Sequence, residues 1–255
     1  MKDIFQNMNK IATKSEIKFV KSLKLKKNRV KENKFIVEGL KNVQELLKSK
    51  YDVLELFCTT TYVKLFNNYG CKLISPEELS IMGNFTTNNA CLAIAKCMKV
   101  DSDQFSKEQR IIILDGIANP GNLGTIIRAL DWFGFKYLIC SKNCADFHNP
   151  KTLSASMGSF TRVAALYVDL DDYLDNFSGD LYGLDLVGKS LDSFSSPNKC
   201  GFILGNETHG ISPSILPLLK DRLTIKKYGS AESLNVAMSA NILLYQLRSC
   251  ATGIF

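Results

Sequence analysis

From residue 111 onward, short apolar runs alternate with stretches of helical periodicity, and this alternation constrains the fold more than any other feature of the chain. The runs IIILD (111–115), KYLIC (136–140), RVAALYV (162–168), DLYGLDL (180–186), CGFILG (200–205) and RLTI (222–225) are each of strand length. Between them lie helical patterns in NPGNLGTIIRAL, PKTLSASMGS and LDDYLDNF, and a closing helix is predicted from Ser233 to about Arg248. Buried strands joined through helices imply a parallel sheet covered on both faces. Ligands of such sheets gather in the loops at the carboxyl ends of the strands.

The first hundred residues form a different pattern. Helical SEIKFVKSLKL, a basic KKNRVKENK turn, a strand FIV, helical EGLKNVQELLKSK and the short strands VLELF, CKLIS and CLAIAKC predict a small α/β unit. The polar stretch KVDSDQFSKEQR (99–110) offers little to bury and reads as a linker. A division into residues 1–98, 99–110 and 111–255 follows, and a chain of 255 residues with 45% hydrophobic content can support two modest domains.

Charge is distributed unevenly over this division. Residues 1–50 carry 14 Lys and Arg against 5 Asp and Glu, a net +9, while the remaining 205 carry 18 against 20, a net −2. RNA or DNA would be drawn to the N-terminal end through sequence-blind phosphate contacts that weaken with salt. A solvated lysine face accounts for the same numbers. No run approaches the roughly 18 apolar residues of a membrane span. The first 35 residues interrupt their lysines with Asp3, Glu16 and Glu32, unlike a signal or transit peptide, so the cytosol is the expected compartment.

Eight cysteines, at 58, 71, 91, 97, 140, 144, 200 and 250, show no C-x-x-C and no histidine at metal-ligand spacing. Most are expected to be reduced, buried, small hydrophobes. His148 and His209 are the two histidines, which leaves little from which to build a histidine triad, and no metal is expected.

Three loops carry groups suited to chemistry. In ANPGNLGTIIRAL (118–130) a helix beginning near Asn122 places Ile126, Ile127, Leu130 and Phe133 on one face. Arg128 then lies roughly 160° from the middle of that face. Asn119 and Asn122 can cap or bind, and Gly121 and Gly124 admit close approach; a capped helix with a surface arginine explains the loop equally well. In FILGNETHGIS (202–212), Gly205, Asn206, Glu207 and Gly210 follow a strand ending at Leu204. In LTIKKYGSAESLNVAMSANILLY (223–245), Ser233 is the expected N-cap, with Leu234, Ala237, Met238, Ile242 and Tyr245 as the buried stripe. The loop also sets Asn235 near the helix start.

Together and in order, NPGNLGTIIR, GNETHG and SLNV resemble the three signature motifs of the SpoU (TrmH-type) RNA ribose 2′-O-methyltransferases of the SPOUT superfamily. The likeness spans roughly 111–255. Residues 1–95, including KFIVEGLKNVQELL, look like the ribosomal-protein-like substrate-binding domain often fused ahead of it. The resemblance implies an α/β fold with a SPOUT-type parallel sheet and a deep trefoil knot, an exception to the rule against threaded chains. It implies S-adenosylmethionine as cofactor, a homodimer, and RNA as partner, with ribosomal RNA favoured over transfer RNA.

Residue by residue, the resemblance makes Arg128 catalytic, with Asn122, Glu207, Ser233 and Asn235 shaping the same pocket. Leu204, Gly205, Asn206, Ile225 and Leu234 stand where the family binds its cofactor. Arginine, with a pKa above about 12, is a poor formal base, so Arg128 is expected to stabilise a developing alkoxide. The chain departs from the family where the third motif usually opens Ile-Pro-Met: here Lys226 and Lys227 follow Ile225. The competing functions are a non-catalytic RNA-binding protein on a degenerate fold and a base-modifying relative. A nucleotide hydrolase would need a phosphate-binding lysine, and residues 118–128 contain none.

Overall fold

The computed structural model describes residues 11–252, with side chains as far as residue 249. Its contacts resolve two units, one holding the chain to Lys99 together with His148–Thr161, the other Val100–Phe147 and the chain from Arg162 onward.

The N-terminal unit is built on a four-stranded sheet. The strand β4 (Cys91–Lys96) runs antiparallel between β1 (Lys34–Glu38) and β2 (Val53–Cys58), and β3 (Lys72–Leu73) joins β2 in parallel. Helix α1 (Lys14–Ser22) starts at a capping box, in which Thr13 Oγ1 accepts from the Glu16 backbone N–H and Glu16 accepts from that of Thr13. Val20, Leu23, Ile36, Phe57, Leu79, Met82, Leu92 and Ile94 form the core.

Two local readings of the sequence are corrected here. The basic KKNRVKENK segment is not a turn but contains helix α2 (Lys26–Glu32), closed by Asn33 in the left-handed conformation. Lysine, arginine and glutamate are good helix formers. The buried Arg29 donates from Nη1 to the carbonyls of Leu23 (2.9 Å) and Lys24 (2.7 Å), tying α2 to the end of α1. A helix that the sequence pattern did not predict, α4 (Pro76–Met82), begins at a second capping box between Ser75 and Glu78. Between α2 and α4 lies α3 (Leu40–Leu47).

The parallel unit holds six strands in the order β10-β8-β9-β5-β6-β7, every pair parallel: β5 (Arg110–Leu114), β6 (Tyr137–Ser141), β7 (Ala164–Val168), β8 (Asp180–Ser190), β9 (Cys200–Leu204) and β10 (Asp221–Thr224). Ile111, Ile113, Ile139, Leu181 and Ile203 share one core cluster, and the alternate residues Ile112, Leu138 and Phe202 are buried as well. Both faces are therefore covered, as the apolar runs require. The stretch expected as a linker contains a short helix, α5 (Asp103–Ser106), whose Phe105 is buried 4.8 Å from the Tyr137 ring. PKTLSASMGS forms α7 (Pro150–Ala155), but its contacts lie with the N-terminal unit: the Phe35 ring packs on His148 at 4.3 Å and on Phe160 at 6.3 Å.

Helices α6 (Pro120–Trp132) and α9 (Val236–Thr252) pack on each other in the parallel unit, which also carries α8 (Leu170–Asp175). The end of α9 is clamped, since Arg248 donates to the carbonyls of Phe133 (2.5 Å) and Gly134 (2.9 Å). No described helix is long and apolar enough to cross a membrane. Of the cysteines, Cys250 lies outside the described side chains; the other seven form no disulfide, and six of them are buried. Burial pushes the Cys91 thiol up to about 12.

Candidate active site

Parallel strands place all their carboxyl ends on one side, and the three loops meet there. After β5, Asp115 is buried and accepts from the Ser212 backbone N–H at 2.7 Å, while its own N–H donates to the Leu204 carbonyl at 2.9 Å. The loop after β9 is thereby fixed to the loop after β5. Asn206 closes it further: Nδ2 donates to the Gly116 carbonyl (2.7 Å), and Oδ1 accepts from the N–H groups of Thr208 (2.8 Å) and His209 (3.2 Å). The backbones of Asn206 and Gly210 exchange two hydrogen bonds, both of 2.9 Å. This folds the chain back so tightly that a Cβ on Gly205 would lie 2.2 Å from the Gly210 carbonyl carbon. Glycine is needed there for close approach.

Helix α6 begins two residues earlier than expected. Asn119 is its N-cap, accepting from the N–H groups of Gly121 (2.8 Å) and Asn122 (3.2 Å), with Pro120 in the first position. The side chain of Asn122 is left free of capping. It donates to Glu207 Oε1 at 2.5 Å, and its Oδ1 accepts from Asn235 Nδ2 at 3.1 Å. One hydrogen-bonded chain, Asn235 to Asn122 to Glu207, thus joins the three sequence motifs.

The third motif is organised differently from expectation. Helix α9 starts at Val236, and its cap is Asn235, whose Oδ1 accepts from the Ala237 N–H at 2.9 Å; Ser233 stands ahead of the helix and is exposed. Asparagine caps as well as serine does. The expected buried stripe is also corrected, because Leu234, Met238, Ile242 and Tyr245 are exposed and Ala237 alone of the five is buried. Val236, Ala237, Ala240, Leu243, Leu244 and Leu247 face the core instead.

These loops bound a cavity of about 760 Å³, within the range of pockets that take drug-sized ligands. Leu204, Gly205, Asn206, Ile225 and Leu234 line it, as do Glu207 and Ser233. Its apolar wall and backbone edges suit an adenosyl group with a methionine tail, and its size admits one. The amide of Asn206 is committed to Gly116 of the loop after β5 and to Thr208 and His209 of its own, so this residue shapes the wall. Ile126, Ile127 and Leu130 are buried and Arg128 exposed, as the helical spacing predicts. Arg128 lies about 9 Å along α6 from Asn122 and is not among the lining residues. Lys226, Lys227 and Tyr228 complete the lining at the exposed end of the third loop. The sequence singles out both lysines as departures from the family pattern but gives no motif for Tyr228, whose neighbouring lysines were the available signal. Among the described residues, no group of three His, Cys, Asp or Glu could hold a metal ion.

An all-parallel sheet with a ligand-sized cavity at its carboxyl edge, lined by Asp185, Glu207 and Glu232, with Asn122 and Asn235 hydrogen-bonded in a chain to Glu207 but not among the lining, defines an α/β protein of the cofactor-binding class. The profile of the SpoU rRNA Methylase family matches residues 109–245, and that of the MRM3-like substrate binding domain matches residues 14–104. The chain belongs to the SpoU rRNA methylase family. It is 31% identical over 244 residues to the 23S rRNA (guanosine(2553)-2′-O)-methyltransferase RlmP of Bacillus subtilis, covering 93% of this chain and 97% of that one. A solved structure from Porphyromonas gingivalis, assigned to the TrmH family of RNA methyltransferases, superposes with a TM-score of 0.80 at 32% identity over 93% of this chain and 98% of that one. The fold is shared too with the SpoU methyltransferase AviRb of Streptomyces viridochromogenes, solved in complex with AdoMet, at a TM-score of 0.82 and 23% identity over 95% and 99% of the two chains.

Proposed function

We propose that this protein transfers a methyl group from S-adenosylmethionine to a ribose 2′-hydroxyl of ribosomal RNA. The observation that carries this reading is the Asn235–Asn122–Glu207 hydrogen-bonded chain, which joins the three motifs and meets the cavity at Glu207. The whole-length likeness to a 23S rRNA 2′-O-methyltransferase supports the choice of acceptor. When bound, S-adenosylmethionine supplies an electrophilic methyl on a sulfonium. The chain's own part is to hold that cofactor against Leu204, Ile225 and Leu234, with backbone groups beside Gly205. Glu207, oriented by Asn122, binds the incoming ribose and takes its proton. Arg128, outside the lining of this chain's own cavity, would reach the acceptor once a second copy docks, and there stabilise the alkoxide as it develops; preorganised donors of this kind are worth about 10²–10³ in rate.

Two further parts of the reading rest on family likeness together with an observation. Trp132, 84% exposed on α6, and Met238, Ile242 and Tyr245 on α9 form an apolar face on two packed helices. Such a face favours a homodimer, and a second copy docked there would enclose Arg128, four residues before Trp132. The trefoil knot is supported by the return of α9 from β10, at the sheet edge, to α6, which follows the central β5. The N-terminal unit would hold RNA through Lys14, Lys18, Lys21, Lys26, Lys27 and Lys31, all exposed, in the cytosol.

The test is transfer of labelled methyl to unmodified ribosomal RNA followed by alkaline digestion. Alkali needs a free 2′-hydroxyl to cleave, so label in an alkali-resistant dinucleotide, lost in Arg128→Ala while cofactor binding persists, is expected. Label confined to mononucleotides would mean base methylation. No label in ribosomal RNA would remove the proposed substrate, and unchanged turnover in Arg128→Ala would remove that residue from the mechanism.

A further inference from the structure

The stretch Lys226-Lys227-Tyr228 has features that cofactor binding does not use. It follows Ile225 directly, at the point where the strand β10 has ended and the chain runs exposed along the cavity mouth. Tyr228 is 85% exposed. A large aromatic ring held in water on a functional rim is a candidate contact surface, since burying it elsewhere would be favourable. The Lys226 ammonium sits 5.1 Å from the centre of that ring, a cation–π arrangement that covers one ring face. At this exposure the other face is open to solvent.

The charges nearby sharpen the choice of ligand. Three carboxylates line the same cavity. Asp185 is paired with Arg222 at 3.2 Å, Glu207 accepts from Asn122, and Glu232 is exposed. Neither Lys226 nor Lys227 makes an ion pair among the described residues. Two cations without an ion pair, one of them over the tyrosine ring, and one open aromatic face, side by side at the mouth of a pocket, match the repeating unit of a single-stranded nucleic acid: phosphate, then a base able to stack. An acceptor ribose must leave its helical stack to enter such a pocket, and the bases beside it then need new partners.

Resting on the methyltransferase reading above, we propose that Lys226, Lys227 and Tyr228 form a lip that grips the RNA strand next to the acceptor nucleotide. Tyr228 stacks on a flanking unpaired base, and the two lysines take the phosphates on either side of the acceptor ribose. The lip is a substrate-positioning element, distinct from the cofactor wall formed by Leu204, Ile225 and Leu234.

The experiment compares wild type, Lys226→Ala/Lys227→Ala, Tyr228→Ala and Tyr228→Phe, using large-subunit ribosomal RNA transcribed in vitro, in methyl transfer and in direct RNA-binding measurements over a range of salt. Tyr228→Ala is expected to raise the KM for RNA about tenfold, and Tyr228→Phe to restore it, because the phenyl ring still stacks. The double lysine variant should flatten the log–log salt dependence of RNA binding by about 0.7 for each phosphate that is no longer neutralised. S-adenosylmethionine affinity is measured for each variant and transfer is compared at saturating cofactor, because all three residues line the same cavity. An unchanged KM and salt slope would overturn the proposal, and so would a lip variant that loses S-adenosylmethionine binding. If wild type binds the RNA but transfers no methyl, while the lip variants bind it less tightly with a flattened slope, the lip stands and the methyltransferase reading falls.

Discussion

At the scale of single residues, Asn122 is the most exacting position in the site. Its amide donates to Glu207 and accepts from Asn235, so both ends are used. Asn122→Asp would keep an acceptor for Asn235 Nδ2 but replace the donor to Glu207 with a second carboxylate. A drop of about 10–100-fold in kcat/KM is expected from mispairing worth about 1–3 kcal/mol, read by methyl transfer at saturating S-adenosylmethionine. Gly205→Ala tests the wall: its Cβ would meet the Gly210 backbone at 2.2 Å, so cofactor affinity should fall by more than tenfold in calorimetric titration, a cost of the order of 1.4 kcal/mol or more. Spacing alone placed Arg128 on the outward face of its helix, because one turn is 3.6 residues whatever surrounds it. The hydrogen bond from Asn122 to Glu207, 85 positions apart, had no local signature from which to be read.

At the scale of elements, the capping group of α9 distinguishes the expected from the observed geometry. Asn235→Ala should lower stability by about 1 kcal/mol, the usual worth of an N-cap, whereas Ser233→Ala should leave the thermal midpoint in place. The phase of this helix was misread for a physical reason. Helix α9 is apolar on more than one face: the large side chains at 234, 238, 242 and 245 compete with Val236, Leu243, Leu244 and Leu247, and the alanines at 237 and 240 that are buried with the latter set add little to a hydropathy count. Small residues allow close helix approach, and size hides that role in sequence. In contrast, the central strands β5, β6 and β9 were legible because a strand buried on both faces is apolar at nearly every position, whereas β8, exposed over its second half, runs on to Ser190 past the expected 186.

The start of α1 carries a pH-dependent contact. Burial would raise the Glu16 carboxyl, but hydrogen bonds from Lys72 and from Thr13 outweigh it and bring it down to about 2. A depressed carboxyl stabilises the fold above its ordinary value of 4.5, and that contribution is lost as pH falls from there towards about 2. Glu16→Gln should therefore lower the urea midpoint at pH 7, and the difference from wild type should shrink by about pH 2.5.

At the scale of the whole molecule, the exposed Trp132, Met238, Ile242 and Tyr245 give the dimer reading a direct test. Met238→Lys with Ile242→Lys should yield a monomer by sedimentation velocity while the far-ultraviolet circular dichroism of the chain is retained. The grouping of His148–Thr161 with the first unit was not legible in the sequence, since it depends on Phe35 meeting His148 and Phe160 across more than a hundred residues.

The pairing of β5 with β9 sets Ile112 opposite Phe202, ninety positions later in the chain. During synthesis, β5 can acquire β6 soon after both have left the ribosome, but its other edge stays bare until β9 emerges. Long-range parallel pairing of this kind is slow and leaves sticky edges in the interim. Asn235, which completes the three-motif chain, is made later still. A polypeptide cut short after β7 would thus carry an open strand edge and half of a rim, so the ability to hold the cofactor arrives only with the last helix.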